Sequence, residues 1–177
     1  MLTPEEAIRL GADAIAIVAY VRGRTEAAYL RTVAECVREA TRLELPVMCH
    51  VYPRDLKDLS RISYEPEEIA WAVRCIVEVG ADVVKAPFCG DVKAHAQIVA
   101  DCPAPLVVAG GPKSATLVDG LQMAFDAVSS GVRGAIIGRN VWGSDNITGA
   151  MQAFKAVVHE GKSPQDALAA AFQSQAN

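Results

Sequence analysis

The chain has 177 residues, about half of them apolar (51%) and about a fifth charged (21%), with a net charge of −4. That is an ordinary globular mixture, of a length that suggests a single α/β domain over 1–177. An acidic balance without a basic block predicts no nucleic-acid partner. No apolar run approaches the ~18 residues of a membrane span, so no membrane association is expected either.

Met1 leads straight into Thr3-Pro4-Glu5-Glu6, a helix start, and the sequence predicts no signal peptide. The five cysteines are Cys36, Cys49, Cys75, Cys89 and Cys102. An odd number at wide spacing, without a C-x-x-C pair, points to a reducing compartment, taken as the cytoplasm. It argues against both a disulfide framework and a zinc site, and no metal is expected. Most of these thiols read as small buried hydrophobes. Cys89 stands apart because it falls in a loop just after a strand that carries a lysine.

In chain order, Thr3 caps a short helix with Pro4 in its first turn, and Gly11 ends it in a left-handed conformation. Ala14-Ile15-Ala16-Ile17-Val18-Ala19-Tyr20 is a continuous apolar strand. Residues 25 to 43 form a helix with Leu30, Val33, Ala34, Val37 and Ala40 on one stripe. After Pro46 comes the strand Val47-Met48-Cys49-His50-Val51-Tyr52, then the polar loop Pro53-Arg54-Asp55-Leu56-Lys57-Asp58. Glu65-Pro66 opens a third helix, which ends at Gly80. Val83-Val84-Lys85-Ala86 is the third strand, and a fourth helix spans roughly 91 to 100. Leu106-Val107-Val108-Ala109 leads into Gly110-Gly111-Pro112-Lys113. A fifth helix covers about 116 to 129. Ala135-Ile136-Ile137 is followed at once by Gly138-Arg139-Asn140. The rest reads as two helices, Thr148 to about Glu160 and Pro164 to Phe172.

The helix-to-strand junction recurs as Gly11-Ala12-Asp13, Gly80-Ala81-Asp82 and Gly131-Val132-Arg133. An iterated β/α unit with near-continuous apolar strands predicts a parallel sheet covered on both faces. Two architectures compete, an open doubly wound sheet and a (β/α)8 barrel. The first strand is not followed by G-x-G-x-x-G, which weakens a dinucleotide fold. A barrel needs eight strands, and only five are legible.

Either architecture places its site at the carboxyl ends of the strands. Lys85 is a lone ammonium in an apolar strand. It reads either as a desolvated amine able to form a Schiff base or as a side chain that snorkels to solvent. Tyr52 ends the second strand and suits proton transfer beside an amine; otherwise it is a core aromatic with its hydroxyl at the rim. His50, two residues earlier, faces the same way. Tyr20 and Arg54 complete the possible pocket. Gly110, Gly111 and Lys113 after the fourth strand, and Gly138 and Arg139 after the fifth, have the composition of an anion site. Taken singly, each glycine pair reads equally well as a turn or a cap. His95 and His159 fall on helices and are expected at the surface, and Met123 reads as helix core.

Val84-Lys85 with Gly90-Asp91, Val108-Ala109-Gly110-Gly111-Pro112-Lys113, Ile137-Gly138-Arg139-Asn140-Val141-Trp142 and Tyr52-Pro53-Arg54 occur in one order along the chain. Together they resemble the catalytic-lysine strand, the two phosphate loops and the proton-donor motif of the archaeal-type class I fructose-1,6-bisphosphate aldolases and their aminodeoxy-heptulosonate synthase relatives. The resemblance implies a (β/α)8 TIM barrel of which this chain carries about five units, strands four to eight. It implies Lys85 as the Schiff-base lysine, Tyr52 as general acid and base, and Gly110, Gly111, Lys113, Gly138 and Arg139 as phosphate ligands. It further implies a phosphorylated ketose substrate, no cofactor beyond the covalent Schiff base, and a homo-oligomer. Asp55 stands where that family has glycine, and Phe88-Cys89 where Tyr-Thr is expected.

Three functions follow. The first is a Schiff-base aldolase acting on a phosphorylated ketose such as fructose 1,6-bisphosphate. The second is the transaldolase-like 2-amino-3,7-dideoxy-heptulosonate synthase, which Cys102-Pro103-Ala104-Pro105-Leu106-Val107-Val108 and Leu121-Gln122-Met123 resemble equally. The third is a non-catalytic phosphosugar-binding oligomer, a remnant of an aldolase barrel. An arc of five strands leaves apolar side chains facing water and two open edges, so the chain is expected to be an N-terminally shortened homologue that self-associates.

Overall fold

A computed structural model describes residues 2–173. Met1 and positions 174–177, the ends of the unit read from the sequence, lie outside them. The elements are α1 (Pro4–Arg9), β1 (Ile15–Val21), α2 (Glu26–Arg42), β2 (Val47–Pro53), α3 (Pro66–Glu78), β3 (Val83–Pro87), α4 (Val92–Ala100), β4 (Leu106–Ala109), α5 (Leu117–Ser129), β5 (Gly134–Ile136), α6 (Arg139–Trp142), α7 (Ile147–Glu160) and α8 (Pro164–Gln173). The strand and helix positions expected from the sequence are reproduced within a residue or two. The exception is α6, a single turn whose four residues carry no period of their own.

Local chemistry accounts for the boundaries. The Thr3 hydroxyl accepts from the Glu6 amide at 3.2 Å while the Thr3 amide donates to the Glu6 carboxylate at 2.8 Å, a reciprocal cap. The recurring junction has a physical cause. Gly80 takes a φ of +91°, which L side chains rarely adopt, and so turns the chain out of α3. Two residues later the Asp82 carboxylate accepts from the Val47 amide at 2.8 Å, stitching the start of β3 to β2.

All five strands are parallel and pair in sequence order, β1-β2-β3-β4-β5. Right-handed crossovers in an order that never reverses place every connecting helix on the same side of the sheet. A doubly wound sheet needs a reversal of order, and there is none. Side chains alternate accordingly. Ile17, Ala19, Val47, Cys49, Val51, Val84, Ala86, Leu106 and Val108 point to the helices and are buried against Val33 and Val37 of α2 and Ile69, Val73 and Ile76 of α3. The opposite row of β1, β2 and β4 (Val18, Tyr20, Met48, His50, Tyr52 and Val107) is only partly covered, and Val18 is 43% exposed. The expectation of a sheet covered on both faces is therefore corrected. Helices cover one face, and among the described residues β1 and β5 each pair on one side only.

A second apolar cluster gathers Leu121 and Ala124 of α5, Val141 of α6, Phe154 and Val157 of α7, and Ala167 and Ala171 of α8. These C-terminal helices stack on α5 and carry α6 with them.

His95 departs from expectation. It sits in α4 but is 0% exposed, with its ring 5.1 Å edge-on from Phe88. Neither ring nitrogen has a hydrogen-bond partner. Its position, four residues after the N-cap Asp91, sets its ring against Phe88, just past β3, so helical phase and packing bury it despite its polarity. Burial pulls its pKa down to about 4. The unfolded chain therefore binds a proton that the folded state refuses between about pH 6.5 and 4. Stability is expected to fall as pH drops through that window, by at most about 1.4 kcal/mol per pH unit from this group. Urea titrations between pH 7 and 4 are expected to show that slope diminished in His95→Met.

Candidate active site

The uncovered face and the carboxyl ends of the strands together form a cleft of about 450 Å³. Its floor is the paired row at the strand ends. Tyr20 is in register with Tyr52, Pro87 with Ala109, and Ala109 with Ile136. One layer deeper, Val18, His50, Lys85, Val107 and Gly134 form the next row across the sheet. Lys85 rises from that layer into the cleft.

Lys85 is 9% exposed and, among the described residues, forms no ion pair. Removal from water without a counter-charge lowers its pKa. His50, opposite it on β2, is also lowered, first by burial and then by the Lys85 charge. Tyr52 moves the other way. Burial raises its pKa most, with Tyr20 and Tyr64 adding to the rise and Arg139 opposing it. The amine is thus biased toward its neutral, nucleophilic form and the phenol toward its protonated, acidic form. No carboxylate lines the cleft among the described residues.

The other wall consists of the β4–α5 and β5–α6 loops. They approach so closely that a Cβ on Gly110 would lie 2.9 Å from the Ile137 Cα. Gly111 has a φ of +65° and presents its carbonyl to Arg139, whose Nη2 donates to it at 2.7 Å. Gly110, Gly111, Gly138 and Arg139 all line the cleft.

The sequence-predicted residues separate into two groups. Lys85, Tyr52, Tyr20 and the four loop residues come together around the cleft. Lys113, Arg54 and His50 are not among its lining residues. The Lys113 ammonium donates to the Gly143 carbonyl at 2.7 Å. The Arg54 guanidinium stacks 4.5 Å from the Tyr20 ring and donates to the Leu59 carbonyl at 2.7 Å, bracing Tyr20 from behind. Cys89 donates to the Asp91 carbonyl at 3.3 Å. His159 is exposed as expected. Met123 packs on the core and also reaches the cleft.

Sequence reasoning missed Tyr64, Phe88 and Trp142, which also line it. Tyr64 lies in a polar loop without periodicity, so nothing marked it. Trp142 carried a signal: it is a large aromatic in a glycine-rich stretch. Its indole lies over Gly138, where a Cβ would come within 2.3 Å of the ring, and it remains 68% exposed. Among the described residues no group of three or more His, Cys, Asp or Glu side chains could hold a metal ion. No helix among them is long and apolar enough to cross a membrane.

Residues 1–144, which hold the parallel β/α arc, the buried Lys85 and the glycine loops, match the family described as DeoC/LacD family aldolase. The chain belongs to that family. It is 32% identical over 159 residues to the fructose-bisphosphate aldolase class 1 of Thermoproteus tenax, covering 89% of this chain and 60% of that protein. It is 35% identical over 139 residues to the 2-amino-4,5-dihydroxy-6-oxo-7-(phosphonooxy)heptanoate synthase of Streptomyces griseus, covering 78% and 50%. Among solved structures, an archaeal fructose 1,6-bisphosphate aldolase superposes with a TM-score of 0.85 at 31% identity, over 90% of this chain and 63% of that one. Another structure, of an archaeal fructose-1,6-bisphosphate aldolase with its catalytic lysine covalently bound to the carbinolamine intermediate of its substrate, superposes with a TM-score of 0.82 at 30% identity, over 88% and 62%. The sheet is therefore part of a TIM-barrel-type aldolase fold, and the chain spans 50–60% of the length of these curated relatives.

An ammonium that is 9% exposed and without a counter-charge opposes folding. Lys85→Met, of similar length and without charge, is expected to raise the melting temperature at pH 7 by a few degrees (roughly 2–4 °C for ~1 kcal/mol). A melting temperature lowered by that substitution, read by differential scanning calorimetry, would contradict an uncompensated buried charge.

Proposed function

We propose that the protein is a Schiff-base aldolase acting on a phosphorylated ketose, with fructose 1,6-bisphosphate the leading candidate. The observation that carries this reading is Lys85, a desolvated amine without a counter-ion, facing a cleft shared with Tyr52 and two glycine loops. In this reading the neutral Lys85 Nζ attacks the ketone carbon. The carbonyl oxygen leaves as water after protonation, and the resulting iminium withdraws the electron pair of the neighbouring C–C bond as it breaks. Tyr52 moves protons: its raised pKa makes it the donor for the departing oxygen, and its position in the cleft lets it take the proton of the substrate hydroxyl during cleavage. Arg139 and the amides of the two loops hold a phosphate, Arg139 contributing a fixed positive charge at the cleft wall. The site needs no metal in this scheme, because the iminium supplies the electron sink.

The 35% identity to the Streptomyces griseus synthase supports a second reading. There the same lysine retains the enamine and transfers it to an aldehyde acceptor instead of releasing it. Turnover of fructose 1,6-bisphosphate alone favours the first reading, and turnover only with an added aldehyde favours the second.

The reading treats 1–177 as one α/β unit in a cytoplasmic protein. The half-covered strand face supports self-association, because each exposed apolar side chain forgoes roughly 1.5–3 kcal/mol of burial. Light scattering on an eluting peak is expected to give a multiple of 18.8 kDa.

Borohydride reduction in the presence of fructose 1,6-bisphosphate is expected to leave a stable adduct on Lys85, located by peptide mass mapping and absent from Lys85→Ala. Tyr52→Phe is expected to form the same adduct more slowly and to lower turnover by about 10²–10⁴-fold. A folded protein that binds phosphate esters yet gives no adduct would instead be a non-catalytic phosphosugar-binding remnant.

A further inference from the structure

Asn140 lies behind the cleft wall and is not one of the residues lining it. It is 7% exposed, and both N–H donors of its carboxamide are used. Oδ1 accepts from the Ser114 amide at 2.7 Å, and Nδ2 donates to the Gly110 carbonyl at 3.2 Å and the Pro112 carbonyl at 3.3 Å. One side chain from the first turn of α6 therefore holds three backbone groups of the β4–α5 loop. The arrangement admits one amide orientation. A flipped carboxamide would set donor against donor at Ser114 and acceptor against acceptor at Gly110 and Pro112. Neither a carboxylate nor a hydrocarbon can replace it, since the first has no donor and the second would leave three backbone groups unpaired.

The surroundings are shaped for this residue. Gly120 lies in the interior of α5, where glycine is unfavourable. A Cβ there would come within 3.4 Å of Asn140 Cγ, 3.5 Å of Ser114 Oγ and 3.3 Å of Phe154 Cζ. The preceding residue, Arg139, grips the same loop from the solvent side through the Gly111 carbonyl. The two neighbours thus hold one loop from opposite sides. Arg139 keeps donors free toward the cleft, while Asn140 has none left over.

We infer that Asn140 is the positioning residue that locks the two glycine loops into a single anion cradle, so that selectivity for phosphorylated over unphosphorylated ketones depends on a side chain that never touches the substrate. The inference rests on the phosphate reading proposed above.

The test compares dihydroxyacetone phosphate with dihydroxyacetone in borohydride trapping on Lys85, in the wild type, Asn140→Ala and Asn140→Ser. The serine variant keeps a hydroxyl but cannot span both loops. Both variants are expected to trap the phosphorylated ketone more slowly, on the order of tenfold or more, with trapping of the unphosphorylated ketone unchanged. Inorganic phosphate titrated by ³¹P NMR gives a readout independent of Lys85, and its Kd is expected to rise in parallel. Equal losses for both ketones would assign Asn140 a structural role only, and an unchanged ratio with unchanged phosphate affinity would remove the inference outright. A wild-type protein without preference for the phosphorylated ketone and without phosphate binding would overturn the phosphate reading itself, a failure distinct from the other two.

Discussion

One-sided winding is the constraint on which this structure depends. Five parallel strands in sequence order, joined by right-handed crossovers, send every connecting helix to the same face. The helix-facing row is sealed by α2, α3 and their neighbours, and the other row is left to water and to whatever binds there. Lys85 belongs to that second row. Its neighbours on the helix-facing row, Val84 and Ala86, are fully buried. A shift of register by one residue would drive the ammonium into the apolar core, so the period-2 pattern of β3 also fixes the direction of its one charge.

Electrostatics in the cleft follow from how little opposes that charge. Among the described residues no carboxylate lines the cleft; Lys85 is tuned by loss of solvent, and Tyr52 by loss of solvent and two neighbouring phenols, with Arg139 opposing them. In the proposed scheme a single phenol carries the proton traffic, with Arg139 as the fixed cation. Among the described residues neither cationic side chain of the cleft is paired with a protein acid: Lys85 forms no ion pair, and Arg139 donates to the Gly111 carbonyl. His50, next to Lys85 in the sheet, is held toward its neutral form by burial and then by the Lys85 charge.

The loops show why a short glycine motif is ambiguous in isolation. Gly110-Gly111 and Gly138-Arg139 lie 28 residues apart, and each reads equally well as a turn. They form a single wall only because β4 and β5 are adjacent in the sheet and Asn140 bridges the gap. The short turn α6, which carries both Arg139 and Trp142, is positioned by Val141 in the C-terminal helical cluster and not by any propensity of its own.

Much was determined by the sequence alone. Strand and helix positions, the parallel order, the junction glycines and the family follow from periodicity, turn chemistry and ordered motifs, because those signals are local and repeat along the chain. Lys85, Tyr52 and the loop glycines stood out for a related reason: a lone charge inside an apolar strand, a phenol at a strand end and glycine pairs just after two strands are each chemically unusual where they fall. Tertiary structure decided the rest. It showed that one face of the sheet is uncovered, a matter of strand order and crossover hand that apolar composition does not encode. It buried His95, whose phase on a nine-residue helix is set by what packs against α4. It removed Lys113 and Arg54 from the cleft by giving them carbonyl partners within 2.7 Å. It also brought in Tyr64, Phe88 and Trp142 from loops and a single turn, where side-chain direction is a product of packing and leaves no period in the sequence to read.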